Sequence, residues 1–333
     1  MTAATYDVLG IGNAIVDILA KTEDGFLSEQ GMTKGAMALI DETRAASIYQ
    51  AMGPAIEISG GSAANTIAGL ADLGARTAFV GKVRDDQLGH VFSHDIRAAQ
   101  VAFATPPASS GPATARCYVL VSPDGERTMN TYLGAAQELS AADIDPAQIA
   151  ASSIVYLEGY LWDPANAKEA FVKASKIAHD NKRSVALTLS DAFCVGRYRD
   201  EFLDLLRSKT VDLVFANEAE LTSLYQTGDF DKALTQLRND ATLAVVTRSE
   251  KGCVVAAKDK VTSVPAFPVK QVMDTTGAGD LFAAGFLFGT VRGLSHEQCG
   301  RFGALAAAEV IQHIGARPQT SLKTLAKDAG LPV

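Results

Sequence analysis

Short apolar runs alternate with stretches of helical periodicity over most of the chain. Runs such as A-V-V lack the polar alternation of a strand with one wet face, so we expect strands that are covered on both sides. The runs predict β-strands over residues 7–11, 77–80, 154–158, 184–189, 213–216 and 243–247. The patterns between them predict helices over residues 62–73, 87–99, 165–181 and 219–225. This alternation is typical of an α/β fold with a mostly parallel sheet.

Two regions break the alternation and predict a small second sheet. Residues 18–40 alternate loosely, with no helix pattern before Asp41, and residues 106–133 hold two strand-like runs around the turn signal of Asp124 and Gly125. We expect antiparallel strands from both regions to form a lid beside the crevice of the main sheet. The predicted division is an α/β core of residues 1–16, 42–105 and 134–333, with a lid of residues 17–41 and 106–133.

The composition fits a soluble globular enzyme that has no nucleic-acid or membrane partner. The 333 residues are 47% hydrophobic and 20% charged, and the formal net charge is −8. No 18-residue apolar run predicts a membrane span, and the N-terminus lacks the pattern of a signal peptide, so we expect a cytoplasmic protein. Four widely spaced cysteines without zinc-site spacing predict reduced thiols: Cys117, Cys194, Cys253 and Cys299.

The stretch D-T-T-G-A-G-D, residues 274–280, predicts an anion site at the start of a buried helix. Gly277 and Gly279 permit unusual backbone angles and a close approach of ligand, and the first amides of a helix have no partner within it. Asp280 in that first turn either caps the helix or faces a hydroxyl group as a base while the amides face a phosphate. The second arrangement is what phosphoryl transfer to an alcohol requires. Asp274 is interpreted as a turn or cap residue.

The segment D-V-L-G-I-G-N-A-I-V-D-I, residues 7–18, matches a dinucleotide fingerprint only in part. Ile15 stands where the third glycine is needed and no helix pattern follows, which disfavours an oxidoreductase. Asn13 and Asp17 lie four residues apart where the strand leaves the sheet. Asp17 is suited to accept hydrogen bonds from two adjacent sugar hydroxyls, and its alternative role is that of a turn residue leading into the lid.

Four motifs in chain order resemble the ribokinase-type (PfkB) carbohydrate kinases. D-T-T-G-A-G-D is similar to the C-terminal signature of that family, and residues 60–75, G-G-S-A-A-N-T-I-A-G-L-A-D-L-G-A, to its N-terminal signature. N-E-A-E at 217–220 is similar to its N-x-x-E element. V-T-R-S-E-K-G at 246–252 is similar to its nucleotide loop, with Ser249 in place of the middle glycine. The resemblance, which extends from Asp7 to about Pro318, implies a ribokinase-like three-layer α/β/α core with a mostly parallel sheet and a small β-sheet lid.

The same resemblance implies an ATP-dependent kinase with defined catalytic groups. Asp280 takes the role of the base that removes the proton of the acceptor hydroxyl. Arg127, just after the hairpin turn, resembles the family position that reaches the transferring phosphate when the lid closes, and its alternative is a solvated hairpin charge. Arg116 is a second candidate for that role. The backbone amides implied to form the anion hole are those of Gly277, Ala278, Gly279 and Asp280.

On the nucleotide side, the resemblance implies ATP as cosubstrate with Mg²⁺. Asn217 and Glu220 would place the metal, partly through water. His313 is either a neighbour of the adenine or a helix-end histidine with its own partners. A requirement for a monovalent cation stays open. The residues implied to bind ATP are Asn217, Thr247, Gly252, Gly277 and Gly279.

On the acceptor side, the adenosine kinases of the family resemble the chain most closely. The similar segments are G-N-A-I-V-D-I at 12–18, V-A-L-T-L-S-D-A-F at 185–193 and V-D-L-V-F-A-N-E-A-E at 211–220, with Ala14 and Thr188 departing from the pattern. This implies phosphorylation of the 5′-hydroxyl of a ribose-bearing nucleoside, adenosine to AMP, as in purine salvage. Asn65 could instead cap its helix, and Tyr160 could be a packing residue. The acceptor contacts implied are Asn13, Asp17, Gly60, Gly61, Ser62, Asn65 and Tyr160.

Two other functions stay open at this point. The first is a kinase of a free sugar such as ribose, fructose or ketodeoxygluconate. The second is a catalytically silent sensor of a nucleoside or sugar, which the intact Asp280 disfavours because a sensor needs no base. In every case the expected partners are small molecules, and the expected assembly is a monomer or a homodimer.

Overall fold

A nine-stranded sheet lies at the centre of the structure, a computed structural model that describes residues 4–333. In chain order the strands of the molecule are β1 Tyr6–Ile11, β2 Ile15–Lys21, β3 Met37–Leu39, β4 Ile56–Gly60, β5 Thr77–Val80, β6 Val101–Phe103, β7 Ala115–Val121, β8 Arg127–Tyr132, β9 Ser152–Glu158, β10 Ser184–Thr188, β11 Leu213–Asn217, β12 Leu243–Thr247, β13 Cys253–Ala257 and β14 Val261–Val264. The large sheet has the order β14-β13-β12-β11-β10-β9-β1-β5-β6. Its strands pair in parallel from β12 to β6, and only β13 and β14 at one edge are antiparallel. The predicted strands and the mostly parallel sheet are therefore confirmed.

Helices cover both faces of this sheet. In chain order they are α1 Asp24–Glu29, α2 Glu42–Ala51, α3 Ser62–Asp72, α4 Gln87–Ala98, α5 Pro146–Ala150, α6 Ala165–Asp180, α7 Ala192–Arg207, α8 Glu218–Tyr225, α9 Phe230–Asp240, α10 Ala278–Val291, α11 His296–Val310 and α12 Leu322–Asp328. Within residues 4–333, no helix is long and apolar enough to cross a lipid bilayer.

Successive residues of the central strands face opposite hydrophobic clusters. Val8 packs in the cluster formed with α3, α10 and α11, whereas Leu9 packs in the cluster formed with α6 and α7. Val245 and Val246 divide in the same way. Because side chains alternate across a strand, a sheet that is apolar on both faces needs a helical layer on each. The three-layer α/β/α architecture follows.

The second sheet has five strands in the order β3-β8-β7-β2-β4. It is mixed: β2 pairs with β4, and β7 with β8, in antiparallel fashion, but β2 with β7 and β3 with β8 are parallel. The expectation of antiparallel strands throughout was therefore wrong, because β2 and β7 belong to separate crossings from the core and run in the same direction. The prediction of no helix before Asp41 was also wrong, since α1 is a helix of 6 residues, too short to show clear periodicity.

The buried helix α10 packs against α11 at glycine positions. A Cβ atom at Gly285 would fall inside the contact distance of the backbone carbonyl of Phe302. At Gly289 it would lie 2.9 Å from the Cα atom of Cys299. These backbone atoms cannot rotate away, so the two helices approach closely only because the side chains are absent.

We therefore expect Gly285→Ala to lower the free energy of unfolding by about 2 kcal/mol or more, because the methyl group overpacks a rigid contact. The matched control is Gly196→Ala in α7, where the nearest atom to the new Cβ is the Ser223 Oγ at 4.0 Å. That variant should gain up to about 1 kcal/mol from helix propensity. Urea unfolding of both variants measures the difference, and equal effects would contradict the close packing of α10 and α11.

Candidate active site

A cavity of about 820 Å³, called here the central cavity, lies between the carboxyl ends of the parallel strands and the second sheet. In open α/β sheets this is the edge at which ligands bind. Among the residues predicted for the site, Gly60, Gly252 and Ala278 do not line the cavity. Those that do are Asn13, Asp17, Gly61, Ser62, Asn65, Arg127, Tyr160, Asn217, Glu220, Thr247, Gly277, Gly279 and Asp280.

The start of α10 supplies first-turn amides at the cavity wall. Gly277 is the N-cap with a φ of 78°, and a Cβ there would lie 2.8 Å from the Cα of Ala316. Glycine is therefore required both by the backbone angle and by the space. The amide of Ala278 donates to the carbonyl of Thr275 at 3.1 Å and is occupied by this turn. The amides of Gly279 and Asp280 belong to the first turn, where an α-helix has no acceptor of its own.

Asp280 is hydrogen-bonded across the helix interface rather than to its own helix. Its Oδ1 accepts from the Ser62 hydroxyl at 2.6 Å, and its Oδ2 accepts from the Asn65 Nδ2 at 3.1 Å. The N-cap of α10 has no side-chain cap bond, so the capping alternative has no support. Burial raises the pKa of Asp280, while the bonds from Ser62 and Asn65 and the charge of Arg317 oppose this. A carboxylate with a raised pKa at a cavity wall can act as a base.

The hydrogen bonds of Asn65 do not support the alternative in which it caps its helix. Its Nδ2 is committed to Asp280, and its Oδ1 is buried without a hydrogen bond. A buried acceptor that lacks a partner is unfavourable unless a ligand or water supplies the donor. Asn65 therefore joins the site through one atom and has a second atom still able to accept.

Asp17 reaches the cavity from β2 and lies against Gly60. A Cβ at Gly60 would fall inside contact distance of both carboxylate oxygens of Asp17, so a larger residue there would displace the Asp17 side chain although position 60 does not line the cavity. Burial raises the pKa of Asp17 to about 7, opposed by the charges of Arg317 and Arg127. The residue belongs to a strand over the cavity, so the alternative of a simple turn residue has no support.

Glu158 is a site residue that the sequence reasoning missed. This fully buried carboxylate at the end of β9 accepts from Asn13 Nδ2 at 2.6 Å and from the amide of Ala63 at 2.8 Å. It thereby joins the loop after β1 to the first turn of α3 and fixes the side chain of Asn13. Burial raises the pKa of Glu158 to about 7, against the effect of these hydrogen bonds. Its position two residues before Tyr160, at the end of a predicted strand, was the only signal in the sequence.

Arg127 is buried at the cavity rather than solvated, which contradicts the alternative of a surface hairpin charge. Its Nη2 lies 2.7 Å from Oδ2 of Asp274, although Nε and Nη2 have no acceptor in hydrogen-bonding geometry. Asp274 does form a turn, since it accepts from the Thr276 amide at 3.0 Å, and it also accepts from the Gly315 amide at 3.1 Å. Its charge pair with Arg127 was not anticipated from the sequence.

Asn217 and Glu220 form a capping box at the start of α8. Asn217 Oδ1 accepts from the Glu220 amide at 2.8 Å, and Glu220 accepts from the Asn217 amide at 3.0 Å and from its Nδ2 at 2.6 Å. Burial raises the pKa of Glu220 to about 7. Across residues 4–333 there is no cluster of three or more His, Cys, Asp or Glu side chains that could hold a metal ion.

The loop after β12 keeps a glycine-like conformation despite its serine. Ser249 has a φ of 51°, the left-handed region in which glycine is the easier residue. Gly252 has a φ of 84°, and a Cβ there would collide with the carbonyl of Val264. Thr247 lines the cavity, whereas Gly252 shapes the turn behind it.

Exposed apolar side chains form a rim around part of the cavity. Met37 and Leu39 come from β3, and Tyr160 and Phe193 from the core; their exposed fractions are 48%, 56%, 38% and 70%. The Tyr160 hydroxyl donates to the carbonyl of Ser190 at 3.3 Å, so one edge of its ring is fixed and the rest is open. Apolar surface kept in water at a cavity mouth is typical of a binding site.

Two weaker candidates do not line the cavity. His313 contacts both carboxylate oxygens of Glu309 at 3.1 Å, which is the helix-end arrangement. Arg116 donates to the Tyr118 hydroxyl and stacks on Tyr132 at 4.9 Å. Both side chains are engaged elsewhere.

Comparison with known proteins decides the family. The description "pfkB family carbohydrate kinase" matches residues 56–323. The chain belongs to the pfkB family of carbohydrate kinases. It is therefore a kinase, and its ribokinase-like fold agrees with the resemblance seen in the four motifs.

Two solved structures are similar over nearly the whole length. The adenosine kinase of Sinorhizobium meliloti is 56% identical, with a TM-score of 0.92 over 98% of this chain and 100% of that one. A probable sugar kinase from Rhizobium etli CFN 42 is 53% identical, with a TM-score of 0.93 over 99% and 100%. Adenosine kinase 2 of Arabidopsis thaliana is 27% identical over 94% of this chain and 96% of its own.

Because Glu158 is buried, we predict that the difference in free energy of unfolding between wild type and Glu158→Gln depends on pH. Its pKa is raised from 4.5 to about 7, so between these values the folded protein binds more protons here than the unfolded chain does. The free energy of unfolding therefore falls as the pH rises through that window. Relative to Glu158→Gln, wild type should lose on the order of 2 kcal/mol between about pH 5 and about pH 8 in urea unfolding.

Glu201→Gln is the control for this prediction, with the opposite sign. Partial burial acts on Glu201, but contacts from Lys168 at 2.7 Å and Trp162 at 2.8 Å lower its pKa overall. Wild type should therefore gain stability over that variant as the pH rises through the acid range below about pH 5, and the difference should be nearly flat between about pH 5 and about pH 8. If the difference in free energy of unfolding between wild type and Glu158→Gln did not change between about pH 5 and about pH 8, the raised pKa of Glu158 would be contradicted.

Proposed function

We propose that the protein transfers the terminal phosphoryl group of ATP to the 5′-hydroxyl of a nucleoside, with adenosine as the acceptor. The observation that carries the proposal is the position of Asp280, which lines the central cavity in the first turn of α10. A base beside unpartnered helix amides is the arrangement that phosphoryl transfer to an alcohol needs. The similarity to the Sinorhizobium meliloti adenosine kinase supports the choice of acceptor.

Asp280 is the proposed general base. Ser62 and Asn65 each donate one hydrogen bond to its carboxylate, which leaves each oxygen a further lone pair. The acceptor hydroxyl passes its proton to this carboxylate as its oxygen forms a bond to the terminal phosphorus. The bond from that phosphorus to the bridging oxygen breaks, and ADP leaves. The raised pKa of Asp280 makes it a better proton acceptor than an exposed aspartate.

Backbone dipoles and one arginine are proposed to stabilise the transferring group. The amides of Gly279 and Asp280, at the positive end of the α10 dipole, face charge that builds on the phosphoryl oxygens. Arg127 adds a positive charge from β8, with two nitrogen atoms that have no acceptor in hydrogen-bonding geometry. A phosphate oxygen would supply the missing acceptor.

Mg²⁺ fits this site through water rather than through direct ligands. Asn217 and Glu220 hold each other in the capping box, so their oxygens are largely used within the protein. Glu220 nevertheless carries a buried carboxylate at the cavity wall with a raised pKa, which nearby positive charge would stabilise. Mg²⁺ commonly keeps several waters and takes few protein ligands beside the phosphates. When bound with ATP it would offset the negative charge of the phosphates.

The apolar rim favours a nucleoside over a free sugar. Asp17 and Asn13 offer polar groups for ribose, whereas Met37, Leu39 and Phe193 remain exposed around the mouth. A nucleobase would cover this apolar surface, and a free sugar would leave it in water. The second candidate is a sugar kinase, favoured by the similarity to the Rhizobium etli probable sugar kinase.

The lid is proposed to consist of residues 17–41 and 106–133, closing on the core of residues 1–16, 42–105 and 134–333. In support, β2, β3, β7 and β8 all contribute to the five-stranded sheet over the cavity. The same sheet includes β4, which lies outside the proposed lid ranges and continues into α3. Closure would exclude water from the transferring group.

The proposed acceptor is tested by measuring ADP formation with ATP and a panel of adenosine, other nucleosides, ribose, fructose and ketodeoxygluconate. Adenosine should give the highest kcat/KM, and mass spectrometry should identify AMP as the product. Turnover of a free sugar without turnover of adenosine would show that the acceptor is a sugar rather than a nucleoside. Absence of turnover with every acceptor in the panel would overturn both proposed acceptor classes.

Asp280→Asn should reduce kcat by about 100-fold to 10,000-fold, because a general base contributes that much. ATP affinity should change little, since the anion-binding groups are backbone amides. Coupled ADP release and calorimetric ATP titration measure the two quantities. The control is Asp229→Asn, at the exposed N-cap of α9, where asparagine caps equally well. Near-normal turnover by Asp280→Asn would remove the base assignment.

Asp17→Asn should raise the acceptor KM by about tenfold or more with a smaller effect on the ATP KM, because an anchor for hydroxyl groups is lost. The control is Glu57→Gln on β4, a carboxylate of the second sheet that does not line the cavity. Initial rates at varied acceptor and fixed ATP measure the effect. An unchanged acceptor KM would exclude Asp17 from the acceptor pocket.

A further inference from the structure

Arg317 connects the C-terminal loop of the core to the edge strand of the second sheet. Its Nη2 donates to the carbonyl of Ser59 at 2.9 Å and contacts the Ser59 hydroxyl at 3.0 Å. Ser59 lies on β4, directly before Gly60 and Gly61. The arginine does not line the central cavity, and the four motifs that predicted the site do not include it.

Ser59 is held from a second side by α4. Its amide and its hydroxyl both donate to Asp95 Oδ2, at 2.8 Å and 2.6 Å. Arg317, Ser59 and Asp95 therefore form a chain of hydrogen bonds, called here the β4 clamp, that fixes β4 between α4 and the C-terminal loop. Since β4 runs into α3, the clamp also fixes the start of the helix that carries Ser62 and Asn65.

The loop of Arg317 supports the phosphate side of the cavity as well. The Gly315 amide donates to Asp274 at 3.1 Å, and Ala316 packs against Gly277 so closely that no side chain fits there. Three consecutive residues thus touch the charge partner of Arg127, the N-cap of α10 and the strand β4. The loop therefore contacts both the acceptor side and the phosphate side of the cavity and can fix their relative position.

The Arg317 charge faces three carboxylates on three elements. They are Asp95 on α4, Asp17 on β2 and Asp280 on α10. Nε of Arg317 is buried without a hydrogen bond. The guanidinium group acts on Asp17 and Asp280 through its charge. The other ionisable groups that face Asp17 or Asp280 are Arg127 on β8, Cys117 on β7, Tyr156 and Glu158 on β9, and Tyr160 in the turn after β9.

We propose that Arg317 is a positioning residue which holds β4 against the phosphate-side loop and whose charge favours the ionised forms of Asp17 and Asp280. This inference rests on the proposed function, because it assigns Asp280 as the base. Burial alone disfavours a charged carboxylate, and an opposite charge nearby is what restores the ionised form. Within residues 4–333, Arg317 is the positive charge that favours ionisation of Asp280 in this way.

The test is the pH dependence of kcat/KM for the acceptor that wild type turns over. Arg317→Gln removes the charge, so the acid limb of the profile should move to higher pH by about one unit or more. Activity lost near neutral pH should return in part as the pH is raised. A variant that had merely lost structure would lose activity at every pH.

Two further variants separate charge from clamp. Ser59→Ala breaks the β4 clamp but keeps the arginine, so its acid limb should coincide with that of wild type whatever happens to kcat. Arg317→Lys keeps a positive charge with poorer geometry and should also keep the acid limb near the wild-type position. Circular dichroism and thermal melts establish that each variant is folded.

The outcomes distinguish this inference from the function on which it rests. If wild type turns over no nucleoside or sugar, the proposed function fails. If wild type is active but the acid limbs of Arg317→Gln and wild type coincide, or Ser59→Ala shifts its limb equally, the role of Arg317 is overturned. If Arg317→Gln does not fold, Arg317→Lys becomes the test. A folded Arg317→Lys whose acid limb has moved by about one pH unit would also overturn the role of Arg317.

Discussion

The hydrogen bonds from Ser62 and Asn65 to Asp280 join the N-terminal ends of two helices, and the geometry of the cavity depends on that junction. The approach of α3 to α10 is possible because Gly69 leaves room for Leu281; a Cβ there would lie 3.1 Å from Ala284 as well. Two helix N-termini, each with a positive dipole end, then face the same cavity beside a shared carboxylate. The proposed base and the proposed anion-binding amides are held by one packed interface rather than by separate loops.

Several buried carboxylates lie around that interface. Burial raises the pKa of Asp17, Glu158 and Asp280, so each is less stable as a carboxylate here than in water. A protein selected only for stability would not keep these acids together. Their charge is matched incompletely within the protein and leaves hydrogen-bonding capacity for an acceptor alcohol. Arg317 faces Asp17 and Asp280, and Arg127 faces Asp17 while it pairs with Asp274.

The parts that the sequence predicts well are those with a local cause. Parallel strands appear as apolar runs, and the start of α10 appears as two glycines before an uncharged helix, because these patterns reflect neighbours in the chain. Glu158 and Arg317 escape such reasoning, since their partners Asn13 and Ser59 lie 145 and 258 residues away in the chain. The mixed pairing of the second sheet escapes it too, because strand direction is set by how separate crossings meet.

The covalent continuity of β4 and α3 limits how a lid could move. Residues 56–60 form the edge strand of the second sheet, and α3 begins at Ser62, so only Gly61 separates this strand from the helix that carries Ser62 and Asn65. Gly61 has a φ of 97° and packs against the Asn13 carbonyl, which leaves little freedom at the connection. A displacement of β4 is therefore expected to act on Ser62, and through its hydrogen bond on Asp280. If the second sheet closes over the cavity as proposed, its movement is therefore linked to the position of the proposed base, and the β4 clamp is a contact that opposes displacement of β4.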